Sequence, residues 1–490
     1  MAREFTGNET GRPADQYVSG TEILDLRDGP DAKSIRADDF MSDLLVARSI
    51  AGSQPVIASI GDSMAVSDYN GSDRVALGAT PTNILKSAKG ILSWALILCG
   101  QRLLFPLLNN CWGFPSRTSG EILTNLPAFW AQMVQKPSVM YVQMGTNDVH
   151  SGVDYAVTIA NFQAFALYNA QRNCRTIFGP IPPRSAGWTA DQFQKAERIN
   201  RWLMGFAQRA SGVVAFASAS LPEMTDPASV GALPKTGDTY DGTHPGVGGG
   251  YKMGKAVAAI LRHWYPPIDL LPSNNLTWVS GLTNANYLIN GMMEGAGAAA
   301  SASGTGTTTG NGPASWSTSG TTLTGLTCAH SQANSPLTGR RMHQMAFSGG
   351  YTASGYSMAA WGPNGRLWQN PATASLATLT AGDKIEALCE FEIDAGNTCI
   401  AFPHLQMRWK SSPNYNADML LPELVGGLPN EAISGVLRVP AHEYIPSELP
   451  LAAGEVTLSA YAYLRAEAAT YSGIAGTIRF GRAIIQKVEG

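Results

Sequence analysis

The chain has 490 residues, of which 44% are hydrophobic and 14% charged, and 34 basic against 37 acidic side chains leave a formal charge of −3. Such a length calls for two to four domains at about 150 residues each, with ample apolar material for their cores. With charge well below the usual level of about 25%, and with no basic cluster, the composition speaks against nucleic acid or an anionic membrane as partner.

Residues 1–50 are mixed and charged, and Asp38-Asp39-Phe40-Met41 leads into a short amphipathic stretch ending near Ile50. Two readings stand for this segment: a helix packing on the next domain, or an attachment segment. The start Met1-Ala2-Arg3-Glu4-Phe5-Thr6-Gly7-Asn8 has no apolar stretch of the secretory kind, and no run of 18 apolar residues occurs anywhere, so a soluble chain without membrane insertion is expected. From residue 51 the periodicity predicts strands at Val56–Ile60, Leu103–Leu107, Val139–Met144, Thr176–Gly179 and Val213–Ala217. Helical spacing covers Ala156–Gln171, Asp191–Gln208 and Gly250–Trp264, the last ending before Pro266-Pro267. Alternating strands and helices predict a parallel sheet covered on both faces, with its working loops at the carboxyl ends of the strands.

The first of these strands ends in Gly61-Asp62-Ser63, and Asp241-Gly242-Thr243-His244 lies far downstream. A strand that ends in such a turn exposes a hydroxyl at its tip, and an Asp-x-x-His turn can hold an imidazole against it. Each is an ordinary turn when taken alone. A third block, the buried run Val139-Met140-Tyr141-Val142-Gln143-Met144 entering Gly145-Thr146-Asn147-Asp148, adds a side-chain amide able to donate a hydrogen bond.

With these blocks in type, order and spacing, the sequence resembles the SGNH (GDSL-like) hydrolases over residues 50–266. Gly113-Phe114-Pro115-Ser116-Arg117-Thr118-Ser119 is similar to that family's Gly-x-x-Gly turn, but Ser116 stands where its second glycine is expected, and Gly120 competes for the role. The resemblance implies a flavodoxin-like three-layer α/β domain and a serine hydrolase of carboxylic esters that needs no cofactor. It further implies Ser63 as nucleophile, His244 as general base and Asp241 as the group orienting the imidazole. The oxyanion hole would consist of the backbone N–H groups of Ser63 and Ser116 with the Asn147 amide, which follow the charge that develops on the carbonyl oxygen. Gly61, Asp62, Gly145 and Asp148 are read as supporting residues that order the two turns. Activity is expected to rise with pH as the histidine loses its proton.

Other residues carry weaker signals. Trp188, at the end of the proline-rich Pro180–Trp188 loop, is a candidate sugar platform or a surface-packing tryptophan. His150 follows the Asn147 loop, and an exposed loop histidine is its plainer reading. The cysteines, at 99, 111, 174, 328, 389 and 399, have no metal-site spacing. They read as buried thiols, with a Cys389–Cys399 bridge as the alternative.

Past Pro272 the composition changes. Gly295–Gly320 is almost wholly Gly, Ala, Ser, Thr and Asn and reads as a loop or linker, and the runs Ala387–Ile393, Ile433–Val439, Val456–Tyr463 and Thr477–Ile485 alternate with period two. The expectation is an antiparallel β-sandwich. Asn284–Glu294 is similar to the first strand of jelly-roll carbohydrate-binding modules, and Trp361, Trp368 and Tyr415 are candidate sugar platforms. An oligomerising β-domain is an equal alternative.

The expected organisation is therefore an N-terminal segment over 1–50, an SGNH-like domain over 51–270 and a β-sandwich, jelly-roll-like, over 271–490. The expected activity is removal of acyl groups, acetyl above all, from a polysaccharide. By analogy, the setting would be a phage tail protein, homo-oligomeric and then trimeric. The alternatives are a lipase or thioesterase on small acyl esters and a non-catalytic adhesin of the virion.

Overall fold

The computed structural model describes residues 54–65, 85–106, 110–133, 135–185, 187–229, 233–275, 286–355, 363–371, 376–409, 415–420, 426–443 and 455–488. The segment 1–50, Trp361 and the side chain of Tyr415 lie outside the described residues. In chain order the elements are β1 (Ile57–Gly61), β2 (Leu85–Ser87), α1 (Ile91–Leu98), β3 (Cys111–Gly113), α2 (Ser119–Gln132), β4 (Val139–Gln143), α3 (Thr146–His150), α4 (Tyr155–Ala170), β5 (Arg175–Phe178), α5 (Ala190–Arg209), β6 (Val214–Phe216), α6 (Ser220–Met224) and α7 (Val247–Trp264). Strands then follow one another: β7 (Ala296–Ala299), β8 (Ser301–Gly304), β9 (Thr307–Pro313), β10 (Ser317–Thr322), β11 (Leu326–Asn334), β12 (Arg341–Ala353) and β13 (Asn364–Gln369). The last are β14 (Lys384–Ile393), β15 (Ile400–Trp409), β16 (Tyr415–Leu420), β17 (Ile433–Glu443), β18 (Val456–Leu464) and β19 (Ala469–Val488).

The described residues divide into two compact units, the first drawn from 54–65, 103–182 and 187–221 and the second from 85–102, 183–185 and 222–488. In the first, a five-stranded sheet runs β3-β1-β4-β5-β6 with every pair parallel. Counting only its own strands, this is the order 2-1-3-4-5 of flavodoxin-like doubly wound sheets, whose switch point lies between the first and third strands. Here those strands are β1 and β4. Ala58, Ile60, Met140, Val142 and Phe178 pack with Phe129, Phe162, Phe165, Leu203 and Phe206 in one core. Ile57, Tyr141 and Ile177 point to the opposite face and are equally buried.

The helices of this unit start where their caps dictate. Asp154 accepts the Ala156 N–H at the head of α4, and Thr189 with Gln192 forms a reciprocal capping box on α5. Such caps satisfy donors that the first turn leaves open.

Among the described residues 103–106 the expected strand Leu103–Leu107 does not form. Leu104 makes only an isolated bridge to Val56, and the second strand of the sheet forms later, at β3. Pro106 has no N–H for a ladder, so pairing ends beside it.

In the second unit two seven-stranded sheets share one core. Their orders are β2-β16-β15-β18-β13-β10-β8 and β17-β14-β19-β12-β11-β9-β7. Leu367, Leu405, Met407 and Leu458 of the first sheet pack with Met345, Phe391, Leu437, Ile478 and Phe480 of the second. Trp94 and Ile97 of α1 and Val247 and Tyr251 of α7 belong to the same core, so both helices are built into this unit.

Four sequence readings are corrected here. The sheets are mixed, because β8 with β10, β9 with β11, and β2 with β16 run parallel. The Gly295–Gly320 stretch forms β7–β10 and lies in both sheets. Its residues need little apolar surface because they sit at sheet margins and pair through backbone, and Gly310 passes so close that a Cβ would meet the His330 carbonyl. The described part of Asn284–Glu294 makes turns, and it inserts Tyr287, Leu288 and Met293 into the core. A Cys389–Cys399 bridge is likewise absent: all six cysteines are buried thiols that form no disulfide.

Candidate active site

β1 is a run of fully buried residues, and its last residue, Gly61, sets the geometry that follows. A Cβ there would lie 1.9 Å from the Gln143 carbonyl oxygen, so only glycine lets β1 close onto β4 at this register. The next N–H, of Asp62, donates to that same oxygen at 2.8 Å. Asp62 then turns the chain: its Oδ1 accepts the Met64 N–H at 3.0 Å and its carbonyl accepts the Ala65 N–H at 3.2 Å. Ser63 is the residue carried out at the head of this turn, half-buried between two buried neighbours.

Asp62 itself is fully buried, with no partner on Oδ2 among the described residues. Burial pushes its carboxyl up to about 7, opposed by the Met64 hydrogen bond and assisted by the nearby Asp148.

Asn147 leaves the end of β4, the strand neighbouring β1. Gly145 has φ 108, a left-handed conformation that reverses the chain into α3. The Asn147 Nδ2 donates to the Arg117 carbonyl at 2.9 Å, which brings the amide beside the Phe114–Arg117 turn. In that turn Arg117 N–H donates to Phe114 at 3.2 Å, Pro115 takes the second position and Ser116 the third, with φ 63. This is the pattern of a type II turn, whose third position favours glycine. Ser116 therefore holds, as a serine, a left-handed conformation that favours glycine. Gly120, the competing residue, lies in the first turn of α2.

Asp148 is buried and holds the start of α2: its Oδ2 accepts the Ser119 N–H at 2.7 Å and its Oδ1 the Ser119 hydroxyl at 2.5 Å. It thus orders the neighbouring helix as well as its own loop. Trp188 packs edge-on against Phe193 of α5, with ring centroids 5.6 Å apart, and His150 is exposed at the end of α3.

Within the second unit, Asp241 organises its turn. Its Oδ1 accepts the N–H groups of Thr243 at 2.9 Å and His244 at 2.7 Å, and its Oδ2 lies 2.6 Å from His244 Nδ1. Partial burial would raise the Asp241 carboxyl, but these hydrogen bonds hold it below the usual carboxylate range. The turn is closed by Tyr240 N–H on the His244 carbonyl and is braced by Ser185 N–H on Gly242. Gly246 N–H then bonds the Asp238 carbonyl, and α7 begins at the next residue. Asp238 is anchored to Lys252 of α7 at 2.6 Å.

The structure thus brings Ser63, Ser116 and Asn147 to the loops after β1, β3 and β4 of one sheet, and pairs Asp241 with His244. Gln143 was missed by sequence reasoning. Its Oε1 accepts the Tyr141 hydroxyl at 2.6 Å and its Nε2 donates to Pro180 at 2.9 Å, a buried polar tie under the two loops. The signal was an amide inside an otherwise apolar run.

No family model and no curated protein matches the chain. Among solved structures, a GDSL-like lipase from Bacteroides thetaiotaomicron is similar over 46% of this chain and 98% of its own, at 16% identity and TM-score 0.30. AlinE4, an SGNH-hydrolase family esterase, is similar over 36% of this chain and 86% of its own, at 17% identity and TM-score 0.24. The enzymatically active domain of bacteriophage CBA120 tailspike protein 4 is similar over 36% of this chain and 19% of its own, at 11% identity and TM-score 0.20. No helix among the described residues is long and apolar enough to cross a membrane.

Proposed function

We propose that the chain is a serine hydrolase of carboxylic esters. The observation that carries the proposal is the Asp241–His244 contact of 2.6 Å through Nδ1. A histidine whose Nδ1 is committed to a carboxylate offers Nε2 as the base. Ser63 supplies the hydroxyl. Its Oγ attacks the acyl carbon, its proton passes to His244 Nε2, and the carbonyl electrons move onto oxygen. That oxygen accepts hydrogen bonds from the Ser63 and Ser116 N–H groups and the Asn147 amide. The imidazolium then returns the proton to the departing alkoxide, which leaves an acyl-serine. Water attacks this ester by the same route in reverse, releasing the carboxylic acid and Ser63.

The finer reading is removal of O-acetyl groups from a polysaccharide, with the acylated glycan as partner. Its support is the second, β-rich unit, where the Arg366 guanidinium lies over the Trp368 ring at 4.5 Å and over the Tyr461 ring at 5.2 Å, side chains suited to sugar rings and hydroxyls. A jelly-roll character for this unit, placement on a phage tail and assembly as a trimer belong to the same proposal. Acetate release from a panel of acetylated bacterial polysaccharides, set against simple acetate esters and with Ser63→Ala as control, tests it. Faster turnover on polymer supports the deacetylase, turnover on small esters alone leaves a general esterase, and turnover unchanged in Ser63→Ala overturns both.

A further inference from the structure

The loop that carries His244 also carries an aromatic ring that burial does not explain. Tyr240 is 41% exposed, yet its ring lies parallel to the His244 imidazole, with centroids 5.7 Å apart and planes 19° apart. Lys89, from a distant stretch of chain, places its ammonium 4.5 Å from the centroid of the same Tyr240 ring. Three side chains therefore form one row, Lys89 to Tyr240 to His244, and Asp241 completes it through Nδ1.

The position of Lys89 is built. Its N–H donates to the Ser87 hydroxyl at 3.2 Å, and the neighbouring Ala88 carbonyl accepts the Trp94 indole N–H at 2.8 Å. On the other side α7 comes so near that a Cβ at Gly250 would lie 2.3 Å from the Lys89 carbonyl oxygen. Lys89 is only 9% exposed, and its stem has little freedom to leave the ring. A long cationic side chain held in this way fixes a ring by cation–π attraction.

We infer that Tyr240, itself held by Lys89, is a positioning residue for the His244 imidazole. A hydrogen bond through Nδ1 fixes one end of the ring but leaves it able to rock about that bond. A parallel ring closes off the rocking, and so keeps Nε2 aimed along one direction. The consequence for turnover rests on the ester-hydrolase reading, because an aimed base matters only if a proton is transferred; the restriction of the ring does not depend on it. Small errors of aim are costly in such transfers.

The test compares Tyr240→Ala, Tyr240→Phe and Lys89→Met with the wild type. Two quantities are read: kcat and KM on a chromogenic acetate ester, and the order of the His244 ring from 13C relaxation at Cε1 in histidine-labelled protein, with the signal assigned through His244→Gln. Tyr240→Phe should keep ring order and kcat. Tyr240→Ala should loosen the ring and lower kcat about tenfold with KM nearly unchanged, and Lys89→Met should loosen it to a lesser degree. A Tyr240→Ala ring as ordered as the wild type overturns the inference. If the wild type shows no Ser63-dependent turnover, the hydrolase reading fails instead, and the relaxation comparison still decides the role of Tyr240.

Discussion

Both oxygens of the Asp148 carboxyl are held by a single residue, Ser119, through its N–H and its hydroxyl. The pair couples the loop that carries Asn147 to the start of the helix that follows the Ser116 turn. The two Ser119 donors meet one oxygen each, with the Thr158 hydroxyl also reaching Oδ1 at 3.4 Å, and an amide can match only one of the Ser119 donors. Asp148→Asn should therefore lower stability by about 2–3 kcal/mol, the usual scale for a buried hydrogen bond to such a group, and Asp148→Ala by at least as much. Urea unfolding of the variants measures this.

Ser116 holds a left-handed backbone, which costs an L-residue roughly 1–2 kcal/mol. Ser116→Gly should gain up to about 1 kcal/mol, since part of the relief is offset by the greater freedom of glycine in the unfolded chain. Ser116→Val cannot adopt the conformation cheaply. It should lose more than about 1 kcal/mol and lower kcat, because the turn must rearrange around the N–H that the proposed mechanism uses. Thermal unfolding and ester turnover report the two effects.

Much of the first unit follows from pattern. β1 and β4 are apolar runs ending in polar turns, so both the strands and their working residues stand out. α1 does not, because Ile91–Ile97 are all buried and a helix buried all round has no amphipathic period. Gly120 and Pro127 hide α2, whose start depends on Thr118 and Glu121 and on the remote Asp148. β7–β10 were concealed by composition, since strands that pair at sheet margins do not need the apolar alternation that marks a half-buried strand. Lys89 and Tyr240 are 151 positions apart, a juxtaposition that only the packing of α7 discloses.

His330 and His343 stack in the β-rich unit with centroids 5.3 Å apart and share a 3.1 Å nitrogen contact. Burial lowers them to about 4 and about 3, and for His343 the neighbouring His330 adds to the effect. Folded values below the ordinary 6.5 mean that the unfolded chain binds more protons under that pH. Stability should be full above about pH 6.5 and fall on acidification towards pH 3–4, by up to about 1.4 kcal/mol per pH unit for each ring. Urea titrations at pH 7 and pH 5 check the sign, and His343→Gln should flatten the dependence.

Asp62 acts in the opposite sense. Its folded value of about 7 exceeds the ordinary 3.8, so its protonated form is favoured by folding and stability should fall as pH rises from about 4 to 7. Asp62→Asn keeps an acceptor for Met64 N–H and removes the titration. The variant should gain stability over wild type at pH 8, and that advantage should shrink towards pH 4. An advantage that is equal at the two pH values would contradict the assigned cause.

The proposed oxyanion donor makes a kinetic prediction. Asn147→Ala should lower kcat by about 10²–10³ with a folded protein, the usual cost of one such donor. Circular dichroism establishes folding, and turnover of a chromogenic acetate ester gives the rate.

The most direct measurement is labelling by a fluorophosphonate, followed by peptide mapping. Ser63 should carry the label in the wild type, Ser63→Ala should take none, and His244→Gln should react at least about a thousandfold more slowly, since the hydroxyl then has no base. Label that persists in Ser63→Ala, or a rate indifferent to His244→Gln, would contradict a serine hydrolase built from these residues.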